Sequence, residues 1–346
     1  MNSQQLFQVA CIRGDVEAVR LLLADRRVNP AYNKSMAIRL ACFRGHIDVV
    51  RLLLADGRVN PAKHKEGAMQ SACLRGHVDV VRLLMADRRV NPADYDNYAI
   101  CVACATGHLN VVRLLLTDRR VNPTRAMGLA CLRGHVDVVR LLLTERRVNP
   151  AVFNNIAIRL ACQYGHVDVV RLLLADDRIN PSDRNNSAIR WACSNGHVDV
   201  VRLLLADNRV NPADCGNDAI GWACQNGHVD VVRLLLTDDR INPADRNNNA
   251  IQLACENGHI DIVRLLLAYA RSTPPTRTTK PYDWLVRVMF MWFVCFCLIV
   301  GLTQSTTTTM QYSGFVEMVK TMWFVFFWLM IESTSREQRQ RHVVGL

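Results

Sequence analysis

The chain has 346 residues, half of them hydrophobic, with a net charge of +11 and thirteen cysteines. Its length allows two domains and a large core. Nine of the cysteines recur at one repeat position after an alanine, too far apart for disulfides, which argues against a secreted disulfide framework and for a reducing compartment. The first residues lack the basic and apolar regions of a cleavable secretory signal.

The dipeptide Asn-Pro recurs along residues 1–271, at intervals of 31 residues and once of 27 residues. Such a period indicates a solenoid of stacked units. In residues 187–207, apolar residues at helical spacing predict a short first helix that ends at Gly196, followed by a second helix. The second helix is predicted to turn four residues inward: Val198, Val201, Leu204 and Leu205. Since neither helix can bury its apolar face alone, the pattern predicts nine stacked helix-turn-helix units, with more polar units at the ends.

Residues 196–205 and 227–236 both carry the pattern Gly-His-x-x-Val-Val-x-Leu-Leu-Leu. This pattern resembles the core of the ankyrin repeat, and the resemblance covers about three quarters of the chain. It implies an all-α ankyrin-repeat solenoid with hairpin-like loops, or fingers, that binds other proteins. The units here have 31 residues rather than the usual 33, and Ala-Ile-Arg replaces Thr-Pro-Leu-His, so altered fingers and curvature are expected. The array resembles in particular the shortened, Asn-Pro-marked arrays of large DNA viruses and protists.

The single 27-residue interval lies where Pro123 runs almost directly into Ala126. The missing residues belong to the connection between two units. The sequence therefore predicts that most of one finger is deleted there, leaving a notch in the middle of the array.

After the array, one or two C-terminal transmembrane helices are expected. Residues 284–302 contain a single charge, Arg287, and as a helix would span about 28 Å, close to the hydrocarbon thickness. The second stretch contains Glu317 and Lys320, so it is predicted either to cross the membrane or to lie in its interface. Basic residues flank the pair, which favours both ends in the cytosol. The predicted order is a Thr/Pro linker (272–283), a transmembrane helix (284–302), an uncharged loop (303–314), a second hydrophobic segment (315–331) and a basic cytosolic tail (332–346).

Eight histidines follow the turn glycines, one in each unit after the first. At roughly 10 Å spacing they cannot share a zinc ion, which needs about 2 Å bonds, and the family resemblance implies that they hydrogen-bond within the interhelical turn. The Cys-x-x-Cys at Cys101 and Cys104 lacks a second pair, so it is weak evidence for metal or redox work. No phosphate loop, nucleophile elbow or zinc-protease motif occurs. The chain is therefore predicted to be non-enzymatic, without cofactor or metal.

Partner-binding residues are predicted at the loop tips and on the first helices, where the repeats vary and where the family resemblance places a concave groove. The alternative is drift on a solvated surface. The candidates are Arg39, Arg44, Lys65, Gln70, Arg75, Tyr95, Phe153, Arg159, Arg184, Arg190, Arg246 and Gln252.

These features predict a protein-protein interaction scaffold, tethered to a membrane through residues 284–331, whose array faces the cytosol and binds a cytosolic protein. The array is expected to be monomeric, with oligomers possible through the tail. Two alternatives stay open. The hydrophobic segments could form a pore, or the basic residues 1–150 could bind nucleic acid, although these lack the interleaved aromatic residues of such sites.

Overall fold

The computed structural model describes residues 2–62 and 67–272, without the side chains of residues 34, 245–248, 271 and 272. These residues form eighteen helices and no strand. The helices are α1 (Ser3–Arg13), α2 (Val16–Ala24), α3 (Tyr32–Arg44), α4 (Ile47–Ala55), α5 (Ala68–Arg75), α6 (Val78–Ala86), α7 (Asp94–Ala105), α8 (Leu109–Leu116), α9 (Thr124–Arg133), α10 (Val136–Thr144), α11 (Val152–Gln163), α12 (Val167–Leu174), α13 (Asp183–Ser194), α14 (Val198–Leu205), α15 (Asp214–Gln225), α16 (Val229–Leu235), α17 (Asp245–Glu256) and α18 (Ile260–Ser272).

Each unit consists of an odd-numbered first helix and an even-numbered second helix. The first helices of neighbouring units contact one another more extensively than the second helices do. Small residues such as Ala192 and Cys193 permit this close approach, and both are fully buried. The predicted all-α solenoid is thus observed over the described residues.

The core between the two rows of helices differs slightly from the prediction. In α14 the fully buried residues are Val200, Val201 and Leu204. Val198 and Leu205, which were predicted to point inward, are only half-buried. The helix begins at Val198 directly after the turn, so this residue lies at the edge of the interface between units.

The predicted hairpin-like fingers do not form in the described residues. In four units, three consecutive residues with positive φ make a left-handed turn. These residues are the second to fourth residues within the ranges given for α7, α11, α13 and α15, and the right-handed part of the first helix follows them directly. In α13 these residues are Arg184, Asn185 and Asn186, with φ between 50° and 57°. The left-handed turn is stable because its third residue is held by the next unit: the Asn186 side chain accepts a hydrogen bond from the Asn211 amide at 2.8 Å and donates one to Asp214 at 2.9 Å.

At the 27-residue interval, α9 begins at Thr124, directly after Pro123, and has no positive-φ residue before it. The deletion therefore removes the left-handed turn rather than a finger. An ion pair between Arg125 and Asp96 joins the two units at this junction.

The first unit differs from the later units at its turn. Asp15 replaces the histidine that follows the turn glycine in later units, and its carboxylate accepts a hydrogen bond from the Ala18 amide at 3.0 Å, which caps α2.

The segments predicted after the array lie outside the described residues: 284–302, 303–314, 315–331 and 332–346, and the linker beyond Ser272. Among the helices that are described, none is both long enough and apolar enough to cross a membrane.

Candidate partner-binding surface

Each histidine after a turn glycine joins two units. The Nε2 atom of His197 lies 2.9 Å from the Gln163 carbonyl oxygen at the end of the preceding first helix. Since a carbonyl only accepts, Nε2 carries the hydrogen. The seven other histidines make the equivalent contact at 2.8–3.1 Å: His46, His77, His108, His135, His166, His228 and His259. The expected bond within the histidine's own turn is therefore a bond to the preceding unit, and the described residues contain no cluster able to hold a metal.

The arginine two residues before each Asn-Pro also has a structural role. Nη2 of Arg209 lies 2.6 Å from the Asp207 carboxylate and 2.8 Å from the Leu174 carbonyl oxygen, while Nη1 donates to the Ile179 carbonyl at 3.1 Å. Arg209 thus binds backbone carbonyls at and beyond the end of α12, where a cation is favourable. Seven equivalent arginines pair with an acid two residues earlier: Arg27, Arg58, Arg89, Arg120, Arg147, Arg178 and Arg240. Five of the basic residues in the stretch 1–150 that suggested nucleic-acid binding are therefore engaged within the array: Arg27, Arg58, Arg89, Arg120 and Arg147.

The residues left for a partner lie on the first helices, opposite the core. We use the name first-helix face for the positions of Arg190, Trp191, Ser194 and Asn195 and their equivalents in the other units. Trp191 is 41% exposed, and Trp222, at the same position of the next unit, is 43% exposed. Two large apolar side chains are therefore exposed at equivalent positions of consecutive units on this face.

The sequence did not identify these tryptophans as site residues. Leucine occupies the same position in four other units, which makes it look like a core position. The change from leucine to tryptophan in two consecutive units was the available signal, since a tryptophan is too large for a site that small neighbours fill.

Four predicted residues lie in the unit of Trp191 and in the unit before it. Arg190 pairs with Asp218 at 3.1 Å and donates to the Arg184 carbonyl at 3.2 Å. Burial, and secondly the nearby charge of Arg184, lower the pKa of Arg159. The Nε of Arg159 is buried and has no hydrogen-bond partner among the described residues. Phe153, at the tip of the neighbouring left-handed turn, is 62% exposed.

A second group lies at the carboxyl ends of the first helices. Arg44 and Arg75 are exposed at the last positions of α3 and α5. The guanidinium carbon of Arg75 lies 4.7 Å from the centre of the Phe43 ring, within the range of a cation–π contact. A cleft of about 300 Å³ runs between these turns, lined by Phe43, Arg44, Leu74, Arg75, His77 and His108.

Other predicted residues are placed differently. Gln70 does not belong to the surface, because it is buried and its Oε1 accepts a hydrogen bond from the Gly67 amide at 3.1 Å. It is the third residue of α5 and folds back to cap the helix start. Tyr95 is exposed in its left-handed turn, whereas Arg39 and Gln252 are half-buried. Lys65 and the side chain of Arg246 lie outside the described part of the chain.

A family model described as ankyrin repeats (3 copies) matches the chain in overlapping segments, at residues 6–96, 58–127, 86–154, 127–214 and 206–276. No curated protein matches the chain. The matched segments together span residues 6–276, the same stretch in which the stacked helix pairs, turn glycines and bridging histidines are found. The chain belongs to the ankyrin-repeat family.

Proposed function

We propose that this protein is a non-enzymatic scaffold that binds a partner protein through its first-helix face. The observation that carries this proposal is the exposure of Trp191 and Trp222 on consecutive units, at 41% and 43%. Tryptophan and arginine dominate the binding energy of protein interfaces, especially where they cluster near the centre of the contact. Arg184 and Arg190 belong to the same unit as Trp191, and Arg159 belongs to the unit before it.

The residues in the two tryptophan-bearing units also favour specific binding of one partner over non-specific hydrophobic binding. The Arg190–Asp218 ion pair crosses between the same two units, with side-chain exposures of 25% and 19%, and holds them in register. Both tryptophans stand on helices whose buried alanines and cysteines are fully packed. The anchors are therefore pre-organised, which reduces the entropy that is lost on binding.

The test is proximity labelling in cells with the full-length chain, followed by the same experiment with Trp191→Ala combined with Trp222→Ala. We expect the labelling of the enriched partner to fall at least about tenfold, because replacing one hot-spot tryptophan with alanine costs about 2 kcal/mol or more of binding free energy. Leu21→Ala is the matched control, since Leu21 is 72% exposed but lies on the second helix α2. Unchanged labelling by the tryptophan variant, with an unchanged melting temperature, would refute the proposed surface.

We further propose that residues 284–302, and with them 315–331, attach the array to a membrane with the array on the cytosolic side. The support is the sequence: an apolar stretch of 19 residues with one charge, flanked by basic residues. Resistance of the full-length chain to alkaline extraction from cell membranes is the expected result. Complete release by alkali would contradict the attachment.

A further inference from the structure

The amino-terminal half of the first-helix face has no acidic residue of its own. The first-helix segments 3–13, 36–44, 68–75, 98–105 and 126–133 contain neither Asp nor Glu. Four of them end in an exposed arginine, and we call these four residues the arginine row: Arg13, Arg44, Arg75 and Arg133. Within the described part of the chain none of the four makes an ion pair.

Seven acids of these units are engaged away from the arginine row. Asp25, Asp56, Asp87, Asp118 and Glu145 pair with the loop arginines at the far end of each unit. Asp48 and Asp79 lie in the first turn of α4 and α6, where the helix dipole favours a negative charge. The positive charge of the arginine row is therefore not balanced within its own surface.

The carboxy-terminal units lack this feature. The equivalents of the arginine row are Tyr164, Asn195, Asn226 and Asn257, all uncharged. The charge is thus a property of the first units rather than of the repeat framework.

Apolar groups lie beside the row. Leu74, next to Arg75, is 43% exposed, and Phe43 holds the Arg75 guanidinium at 4.7 Å. The cleft of about 300 Å³ between Arg44 and Arg75 is lined by Phe43 and Leu74 together with polar side chains, and it is large enough for one side chain of a partner. A flat membrane surface would contact the protruding arginines but would not fill a recess, so these features favour a peptide.

The spacing of the row defines the peptide. Packed helices lie about 10 Å apart, and a chain in the extended polyproline II conformation rises about 3.1 Å per residue with three residues per turn, so three residues cover one unit and every third side chain points to the same side. We propose that the arginine row binds an extended acidic segment of a partner protein, with carboxylates three residues apart opposite Arg13, Arg44 and Arg75, which lie on consecutive units, and an intervening side chain entering the cleft. This inference rests on the proposed scaffold function and specifies the partner for the amino-terminal half of the same face.

The test uses the full-length chain in neutral detergent and a fluorescein-labelled peptide of repeated Glu-Leu-Ser triplets, followed by fluorescence anisotropy. We expect Arg44→Gln combined with Arg75→Gln to raise the Kd about tenfold, the loss of two charge-assisted contacts. Arg51→Gln combined with Arg82→Gln is the matched control, because it removes the same charge from exposed second-helix positions of the same two units. This control is expected to change the Kd less than about twofold, since those arginines act only through screened long-range attraction.

Equal weakening by both double variants would overturn the proposal, since it would show a non-specific charge effect. So would equal binding of a Lys-Leu-Ser peptide, or binding to phosphatidylserine vesicles without binding to the acidic peptide. Because Trp191 and Trp222 are intact in these variants, failure here leaves the tryptophan test of the scaffold function unaffected. A melting temperature equal to that of the unmodified chain is required of every variant.

Discussion

The turn glycines are required for two separate reasons at the level of single residues. Gly165 has a φ of +74°, in the left-handed region that side chains with a Cβ rarely adopt. A Cβ at this position would also lie 2.6 Å from Nδ1 of His197 in the next unit. Gly258 has the same φ, but a Cβ there would meet no described atom within 4 Å.

Comparing Gly165→Ala with Gly258→Ala separates the two reasons. The backbone conformation alone costs about 1 to 2 kcal/mol in both variants. We expect Gly165→Ala to lose at least about 1 kcal/mol more, the usual cost of overpacking. Denaturant unfolding measures both changes, and His197→Ala should relieve the extra loss in a double-mutant cycle. Equal losses in the two variants would show that the histidine moves aside without cost.

The third residue of the left-handed turn is a second position where a single side chain contributes to stability, because its oxygen accepts a hydrogen bond from the next unit. Asn97, Asn155, Asn186 and Asn217 each accept a hydrogen bond from a backbone amide 25 residues later, at 2.6–3.1 Å. Ser35 occupies this position in the second unit with a φ of 57°, is 1% exposed, and its hydroxyl has no partner among the described residues.

We therefore expect Ser35→Asn to stabilise the protein by about 1 kcal/mol, the typical net value of a hydrogen bond. The longer side chain reaches the amide of Asn60, and asparagine tolerates the left-handed conformation better than serine. Thermal unfolding followed by circular dichroism measures the change. Asn155→Ser is the reverse control and should destabilise; a lower melting temperature for Ser35→Asn would contradict the prediction.

At the level of elements, the arginine–carboxylate pair in each loop connects a second helix to the next unit. The side-chain hydrogen bond from Arg209 holds the pKa of Asp207 below its usual range, and Arg58, Arg89 and Arg178 act in the same way on Asp56, Asp87 and Asp176. Because the folded pKa lies below the unfolded one, this contribution to stability is fully present above about pH 4. It is lost as the pH falls through the lower, folded pKa.

The melting temperature should consequently fall as the pH is lowered below about 4. Asp207→Asn should have a lower melting temperature at neutral pH and a smaller further decrease in acid, because its loop has no carboxylate left to protonate. Asp199→Asn, at an exposed second-helix position outside these loops, is the control. An acid decrease of the same size in Asp207→Asn and the unmodified chain would disprove the assignment.

At the level of the whole molecule, stability depends on neighbouring units, because each unit shares its apolar faces with the units on both sides. Leu204 is fully buried in the row formed by the second helices. Leu204→Ala is expected to cost about 2 to 5 kcal/mol of unfolding free energy. Denaturant unfolding provides the measurement, with exposed Leu21→Ala as the control; a loss below about 1 kcal/mol would mean that the core collapses around the smaller residue.

Two surfaces of different chemistry lie along the same face. The amino-terminal units present the arginine row, and the later units present Trp191 and Trp222 beside an ion pair. A partner that covers the whole face would need an acidic part and an apolar part in this order. The framework underneath is nearly constant, so this difference comes from a few side chains at four positions of each first helix.

The sequence alone determined the units, their helices and their turns, because these depend on short-range signals: apolar residues at helical spacing, a glycine after each first helix and a regular period. It also located the shortened connection after Pro123. It also predicted Arg159, Arg184 and Arg190 as partner-binding residues, because variation marks the positions that the framework leaves free, and this stays a prediction.

Only the tertiary structure decided how the units are joined and which side chains remain for a partner. The left-handed turns are stable because asparagines bond to the next unit, and the histidines donate to the preceding one, contacts between residues 25 to 34 positions apart. Gln70 caps its own helix, and the loop arginines bind backbone carbonyls, so residues that look free in the sequence are occupied. Trp191 and Trp222 are exposed because the close packing of the first helices has no space for them, and no local pattern encodes that distance.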